Sequence, residues 1–293
     1  FDTAKEQYER GEIEYPQFDI YAREGETAKT KLDGLRTVRE HAEALREQGT
    51  QKGFVPWLVA DMPYESVYGG AAQENQQKAA LVSLLTLVLL LAGCMAYEEQ
   101  SGMANLLAST GRGRNTLLRR KMALAAILTT GIWAVVYGLE FHAFLGGYTS
   151  GTLRAPVQNL AMLENFPLPC SIGGFLIMLY LFRWVALFCG AMLTLLISAH
   201  VKRMETAYIA ACGALLLPSL LYLYVGLEPL RYLSLALPIE GMALLLPTSG
   251  ILTSCGIVLA VLFALCILSV YLLCKRMKIR TKKKKQPFGY SFD

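Results

Sequence analysis

The chain has 293 residues, of which 54% are hydrophobic, against roughly half or fewer in a soluble globular domain. It carries 28 Lys and Arg against 23 Asp and Glu, a net charge of +5. Residues 1–78 are mixed and charged, residues 79–274 hold long apolar runs, and residues 275–293 form a basic tail. These features exclude an ordinary soluble protein and predict a soluble module joined to a membrane module.

Residues 1–78 predict a small, mainly helical domain. From Thr27 to Gln48, apolar residues recur near one helical face, and Gly49 follows as a stop signal. A short apolar run at residues 54–59 is expected to pack on that face. A second helix is expected from about Glu65 into the first span. We expect this domain to be a helical cap without catalytic chemistry.

Five apolar runs follow, and each exceeds or approaches the about 20 residues that a helix needs to cross a bilayer. They are Ala79–Tyr97, Met122–Gly147, Ile172–Ala199, Ala207–Val225 and Ile251–Cys274. Lys and Arg collect after the first, third and fifth runs. Because basic residues accumulate in cytoplasmic loops, the tail is predicted inside and residues 1–78 outside. An outside start predicts a sixth span before residue 1, and hence an all-α membrane protein with both ends in the cytoplasm.

The predicted outer connections differ in polarity. Residues 226–250 are mostly apolar, and Pro229, Pro238 and Pro247 divide them into pieces too short to span a bilayer. Irregular apolar backbone at membrane depth is tolerated where protein buries it. We therefore expect one or two short re-entrant helices at the outer face. The more polar connection 148–171 is expected to be an ordinary loop.

Two ionisable residues fall within predicted spans, where a charge is costly. Arg183 lies near the middle of the third run, and Glu140 lies in the outer part of the second. Consecutive spans are antiparallel neighbours, which allows Glu140 and Arg183 to pair. Two interpretations are open: a structural ion pair between helices, and a pair that lines or gates a substrate path.

The cytoplasmic connection from Tyr97 to Lys121 predicts a short amphipathic helix near residues 98–110. Glu98 and Glu99 begin it, and apolar residues follow at helical spacing. Five basic residues lie between Gly111 and the second run. Such a helix either rests on lipid headgroups or presents a face to a cytoplasmic partner.

This connection resembles that of type-2 ABC exporter permeases. The shared order is an acidic pair, a glycine, a leucine pair, Ser-Thr, a basic residue and a lysine that opens the next span. The matching residues are Glu98, Glu99, Gly102, Leu106, Leu107, Ser109, Thr110, Arg114 and Lys121. The family usually has proline after Ser-Thr, where this chain has Gly111. The resemblance extends to the six-span plan, the outer loop after the first span and the re-entrant helices before the last.

The resemblance implies that this connection is a coupling helix that docks on an ATPase subunit. The implied coupling residues are Glu98, Glu99, Gly102, Met103, Leu106, Leu107, Ser109, Thr110 and Arg114. It also implies a permease in a bacterial cell membrane that exports a peptide, lipid, glycan or drug, paired with a second copy or a related permease. The sequence has no GxxxxGK[ST] motif, so ATP and Mg are expected in the partner chain.

The rival hypothesis is a membrane sensor or a membrane-embedded enzyme whose residues 1–78 bind a ligand outside. The sequence shows no catalytic constellation, cofactor motif or metal-ligand spacing, which argues against the enzyme. The basic run Lys282–Lys285 directly follows a predicted span. It is therefore predicted to contact anionic lipid and not nucleic acid.

Overall fold

The computed structural model describes residues 7, 10–11, 15–53, 57, 59, 64, 67–103, 113–147, 152–163, 166, 168, 170–226, 230, 234–241, 260–273 and 275. These residues are mostly helical, as predicted, and contain no strand beyond one isolated antiparallel bridge. The chain divides into two compact units, Phe1–Val59 and Ala60–Asp293. Residues 60–78, which the sequence analysis grouped with the outer domain, therefore belong to the second unit.

The first unit is described mainly by helix α1, Tyr15–Lys52. The helix continues past Gly49 and ends before Gly53, which has a φ of 72° and donates its N–H to the Gly49 carbonyl at 2.9 Å. The prediction that Gly49 ends the helix is wrong because the left-handed residue that terminates it is Gly53. A glycine inside a helix lowers its stability but does not break it.

The apolar face predicted for α1 is largely uncovered. Leu32, Leu35 and Val38 are exposed, whereas Leu45 is buried. Of the short apolar run at residues 54–59, the described residues are Trp57, which is exposed, and Val59, which is buried; the predicted packing of the run on this face stays a prediction. Charged residues such as the Arg39–Glu43 pair also lie exposed on α1.

Four stretches of the second unit are long and apolar enough to cross a membrane: Ala72–Gln100, Thr116–His142, Ile172–His200 and Met204–Val225. They correspond to the first four predicted runs. Of the fifth run, the described part is the shorter apolar helix α10, Ala260–Leu273. Residues 251–259 lie outside the described residues, so the fifth span stays a prediction.

These four stretches are built from several helical segments. The first overlaps α2 (Gly70–Leu91) and α3 (Gly93–Gln100), and the second overlaps α4 (Gly113–Trp133), a π-helical turn (Ala134–Gly138) and α5 (Leu139–Gly147). The third is α6 (Ile172–His200), and the fourth contains α7 (Met204–Leu215), α8 (Leu217–Leu220) and a π-helical turn (Leu221–Val225). A short helix, α9 (Ala236–Glu240), follows.

Helix α6 lies at the centre of the second unit and packs against α2, α3, α4, α7 and α9. It starts sharply because the Ser171 hydroxyl accepts the Gly174 N–H at 3.1 Å, which caps the free amides of the first turn. Gly190 lets α2 approach closely, since a Cβ there would lie 3.0 Å from Leu84 Cδ2. The central position of α6 determines which side chains meet at the site below.

The two predicted outer connections are both compact where they are described. Residues 152–163 form three short 3-10 turns, and Val157, Leu160 and Leu163 are buried there. Apolar side chains in this connection bury themselves, and the Pro156–Ser171 bridge closes its ends. In the other connection, α9 is a five-residue helix whose side chains are all buried. Its depth in a membrane stays a prediction, and residues 242–250 lie outside the described residues.

Candidate functional site

A buried arginine organises the largest polar cluster in the described part of the second unit. Arg183 on α6 is fully buried. Its Nε donates to the Glu240 carbonyl oxygen at 2.9 Å, its Nη2 to Gln76 Oε1 at 3.0 Å, and its Nη1 to Glu140 Oε1 at 3.3 Å. The structure thus brings Glu140 and Arg183 together and adds Gln76 and Glu240. Each guanidinium nitrogen has an acceptor, which offsets the cost of burying the charge.

Three tyrosines surround this arginine. Arg183 Cζ lies 4.8 Å from the Tyr137 ring centroid and 5.3 Å from that of Tyr180, both within cation–π range. The Tyr180 hydroxyl donates to Glu140 Oε1 at 3.2 Å, and the Tyr68 and Tyr180 hydroxyls lie 2.8 Å apart. Burial raises the pKa of Tyr68, so its hydroxyl stays protonated. Tyr137 belongs to the π-helical turn of the second span, and such turns are frequent at functional sites.

The cluster fixes α9 against the bundle at two points besides Arg183. Gln77 Nε2 donates to Glu240 Oε2 at 3.3 Å, which connects α2 to α9. Gly241, directly after α9, has a φ of 79°, and a Cβ there would lie 2.6 Å from Leu179 Cδ1. Only glycine fits this close approach without strain. The cluster therefore joins α2, α5, α6 and α9, and Glu140, at 20% side-chain exposure, is its most accessible charged member.

Sequence reasoning missed Gln76 and Glu240. Gln76 was assigned to the polar domain because the first apolar run starts at Ala79, yet α2 starts at Gly70 and carries Gln76 beside Arg183. Glu240 lies in the apolar, proline-interrupted connection 226–250, where the sequence pattern indicates re-entrant helices but not a contact with Arg183. The sequence feature that pointed to further partners was Arg183 itself, because a buried guanidinium needs more acceptors than a single carboxylate supplies.

A second polar cluster lies where the first span ends and the second begins. Lys121 on α4 is only 8% exposed. Its Nζ lies 2.6 Å from Glu98 Oε2, 2.6 Å from the Cys94 carbonyl oxygen and 3.3 Å from Met95 Sδ. All three partners belong to α3. The ammonium group therefore joins the two spans through a charged pair and a backbone contact.

Glu98 and Glu99 lie in the last turn of α3, which begins at Gly93. The prediction that they begin a new helix is wrong, because the first span continues through them. Acidic residues are unfavourable at a helix C-terminus, where the dipole is negative. The Lys121 ammonium offsets this cost for Glu98. Gly102, with a φ of 71°, follows the end of α3.

The third span also contacts α3. The backbone N–H groups of Met95 and Ala96 both donate to Ser198 Oγ on α6, at 3.1 Å each. The residue that precedes α3, Ala92, offers no side-chain cap. Ser198 therefore supplies from a neighbouring helix the acceptor that an N-cap side chain normally provides.

The remaining coupling residues are only partly described. Met103 is about half exposed. Arg114 lies in the first turn of α4. Leu106, Leu107, Ser109 and Thr110 lie outside the described residues, so the predicted helix near 98–110 is described only as far as Met103. Among the described residues, no group of three or more His, Cys, Asp or Glu is arranged to hold a metal ion.

Comparison with protein-family models, curated proteins and solved structures finds no match for this chain. The fold indicates a broad class: a mostly helical, membrane-associated protein that has, among the described residues, four helices long and apolar enough to span a bilayer. Buried polar clusters connect those helices at two places.

Proposed function

We propose that the chain is the permease subunit of an ABC exporter, which moves a peptide, lipid, glycan or drug outward with ATP hydrolysed by a separate subunit. The carrying observation is the segment from Glu98 to Lys121. Its residue order resembles the coupling segment of type-2 exporters, and its acidic start and final lysine form an ion pair. Four helices long and apolar enough to cross a membrane support the same proposal.

In this proposal the polar end that carries Glu98 faces the cytoplasm. Exposed basic residues support that orientation, because positive charge accumulates on the inner side. They are Arg119, Arg120, Lys202 and Arg203. The Met204 N–H donates to Gln100 Oε1 at 3.2 Å, so these basic residues lie near the same end as α3. Residues 1–78 then lie outside and the basic tail lies inside.

Two permease copies, or two related permeases, would enclose the path. ATPase subunits would bind at residues 98–114, and their closure would move this segment and tilt the spans. Such coupling requires the segment to make different contacts with the ATPase in the two states. In this mechanism the Arg183 cluster holds α9 against α2 and α6, and Glu140 borders the path.

The decisive experiment is purification of the full chain in mild detergent, followed by an ATPase assay and identification of the bound chains. We expect a nucleotide-hydrolysing subunit to co-purify and Leu106→Asp to remove it. Leu32→Asp is the matched control, because it places the same charge at an exposed leucine of the first unit. Repeated absence of an ATPase would favour the sensor or enzyme hypothesis. Normal export by Leu106→Asp would instead show that this segment is not where the ATPase docks.

A further inference from the structure

Helix α3 is held by its neighbours. Lys121 from α4 contacts its carbonyl, sulfur and carboxylate groups, and Ser198 from α6 accepts two of its amides. Helix α7 also packs closely, since a Cβ at Gly93 would lie 3.0 Å from the Tyr208 hydroxyl. At Ala92 the chain passes from α2 into α3 through a single residue that keeps helical dihedral angles, φ −62° and ψ −31°.

We propose that Lys121 is a positioning residue that makes α3 move together with the inner ends of α4 and α6. The position of α3 is argued from the contacts alone, whereas the consequence of its movement rests on the proposed exporter function. Under that function, displacement of the docking segment reaches the second and third spans through Lys121 and Ser198.

The strength of this connection follows from burial. Lys121 is only 8% exposed as a residue, so its ammonium group cannot readily exchange its protein acceptors for water without moving out of the protein. Its pair with Glu98 is also shielded, with side-chain exposures of 10% and 21%. A buried, charged contact of this kind persists through a rigid-body movement, whereas an exposed pair breaks and reforms freely.

The test measures amide hydrogen exchange of the full chain in lipid nanodiscs. In Lys121→Met, we expect exchange in residues 93–103 to be about tenfold faster, the effect of losing one charge-assisted contact from the opening equilibrium. Exchange in residues 172–190 should not change. Lys78→Met is the matched control, because Lys78 forms an exposed pair with Glu74 on α2. It should change neither region.

Two further variants guard against simple misfolding. Glu98→Gln keeps the Lys121 contact with the Cys94 carbonyl, so we expect a smaller acceleration confined to residues 93–103. Lys121→Arg keeps the charge, so its amide exchange in residues 93–103 should be closer to that of the unaltered protein. Wild-type exchange in both Lys121→Met and Glu98→Gln would overturn the proposal. An equal acceleration in residues 172–190 would also overturn it, because it would indicate general destabilisation.

The transmitting role has a separate readout. In a complex with its ATPase, Lys121→Met should retain ATP hydrolysis but export about tenfold less per ATP, and Lys121→Arg should restore export. Unchanged export with faster exchange in residues 93–103 would overturn transmission through Lys121. If no ATPase co-purifies, the exporter proposal fails, while the exchange data still decide how α3 is held.

Discussion

Replacing Arg183 with methionine is the most informative single change in the second unit. Methionine keeps a long unbranched side chain but removes the charge and every donor. The Glu240 carbonyl and Gln76 Oε1 lose donors at 2.9 Å and 3.0 Å, and Glu140 loses its cation at 3.3 Å. The stacking of the guanidinium on Tyr137 is lost as well. We therefore expect a large loss of stability from a substitution that conserves size.

The magnitude follows from these contacts. Breaking a buried ion pair by removing one partner costs about 3–5 kcal/mol. The Glu140 side chain is 20% exposed, so water screens part of its charge. The cost of breaking the ion pair is therefore expected near the lower end of that range. Each acceptor left without a donor adds about 1–3 kcal/mol, although such terms are not additive. We expect Arg183→Met to lower the free energy of unfolding by about 3–5 kcal/mol in total.

Unfolding by SDS in mixed micelles measures this free energy, and a double-mutant cycle tests the pair. The double variant Glu140→Gln/Arg183→Met should be less destabilised than Arg183→Met, because residue 140 no longer carries a carboxylate that has lost its cation. Arg183→Lys should be intermediate, since an ammonium group cannot donate along the three fixed directions of a guanidinium. A loss below about 1 kcal/mol in Arg183→Met, or strict additivity in the cycle, would refute the reasoning.

Four further predictions follow from single positions. Gly241→Ala should lower stability by about 1–3 kcal/mol in the same assay, because φ is 79° and a Cβ would overlap α6; an unchanged value would contradict the observed backbone. Ser198→Ala should cost about 1–2 kcal/mol, whereas Ser198→Thr should retain the acceptor. Burial raises the pKa of Cys170, so its alkylation, in a variant with no other cysteine, should require higher pH than that of a free thiol; an identical pH profile would argue against burial. Impermeant reagents applied to intact cells should label Glu40→Cys but not Lys202→Cys, and labelling of both would exclude the proposed sidedness.

Local signals were sufficient to predict most of the spanning helices. The sequence analysis predicts the third run as Ile172–Ala199 from its length and apolar composition, and α6 is Ile172–His200. The structure adds that Ser171 caps its first turn. Local signals failed at the end of α1. The sequence analysis places the stop at Gly49, whereas the glycine that ends the helix with a positive φ is Gly53, which the periodicity did not indicate.

The pairing of Glu140 with Arg183 was accessible to sequence reasoning because consecutive spans are antiparallel neighbours. Gln76 and the Glu240 carbonyl reach the same arginine from 107 and 57 residues away, and no pattern of periodicity or spacing links such distant positions. Counting the N–H donors of the Arg183 guanidinium would have indicated that acceptors besides Glu140 are needed. One carboxylate cannot satisfy a guanidinium in all its directions, so a buried arginine demands further acceptors from the elements around it. The same reasoning applies to Lys121, whose Nζ bonds the Cys94 carbonyl as well as Glu98. A charged residue within or beside an apolar run thus indicates that other segments must supply its partners, even where the apolar pattern does not link those segments.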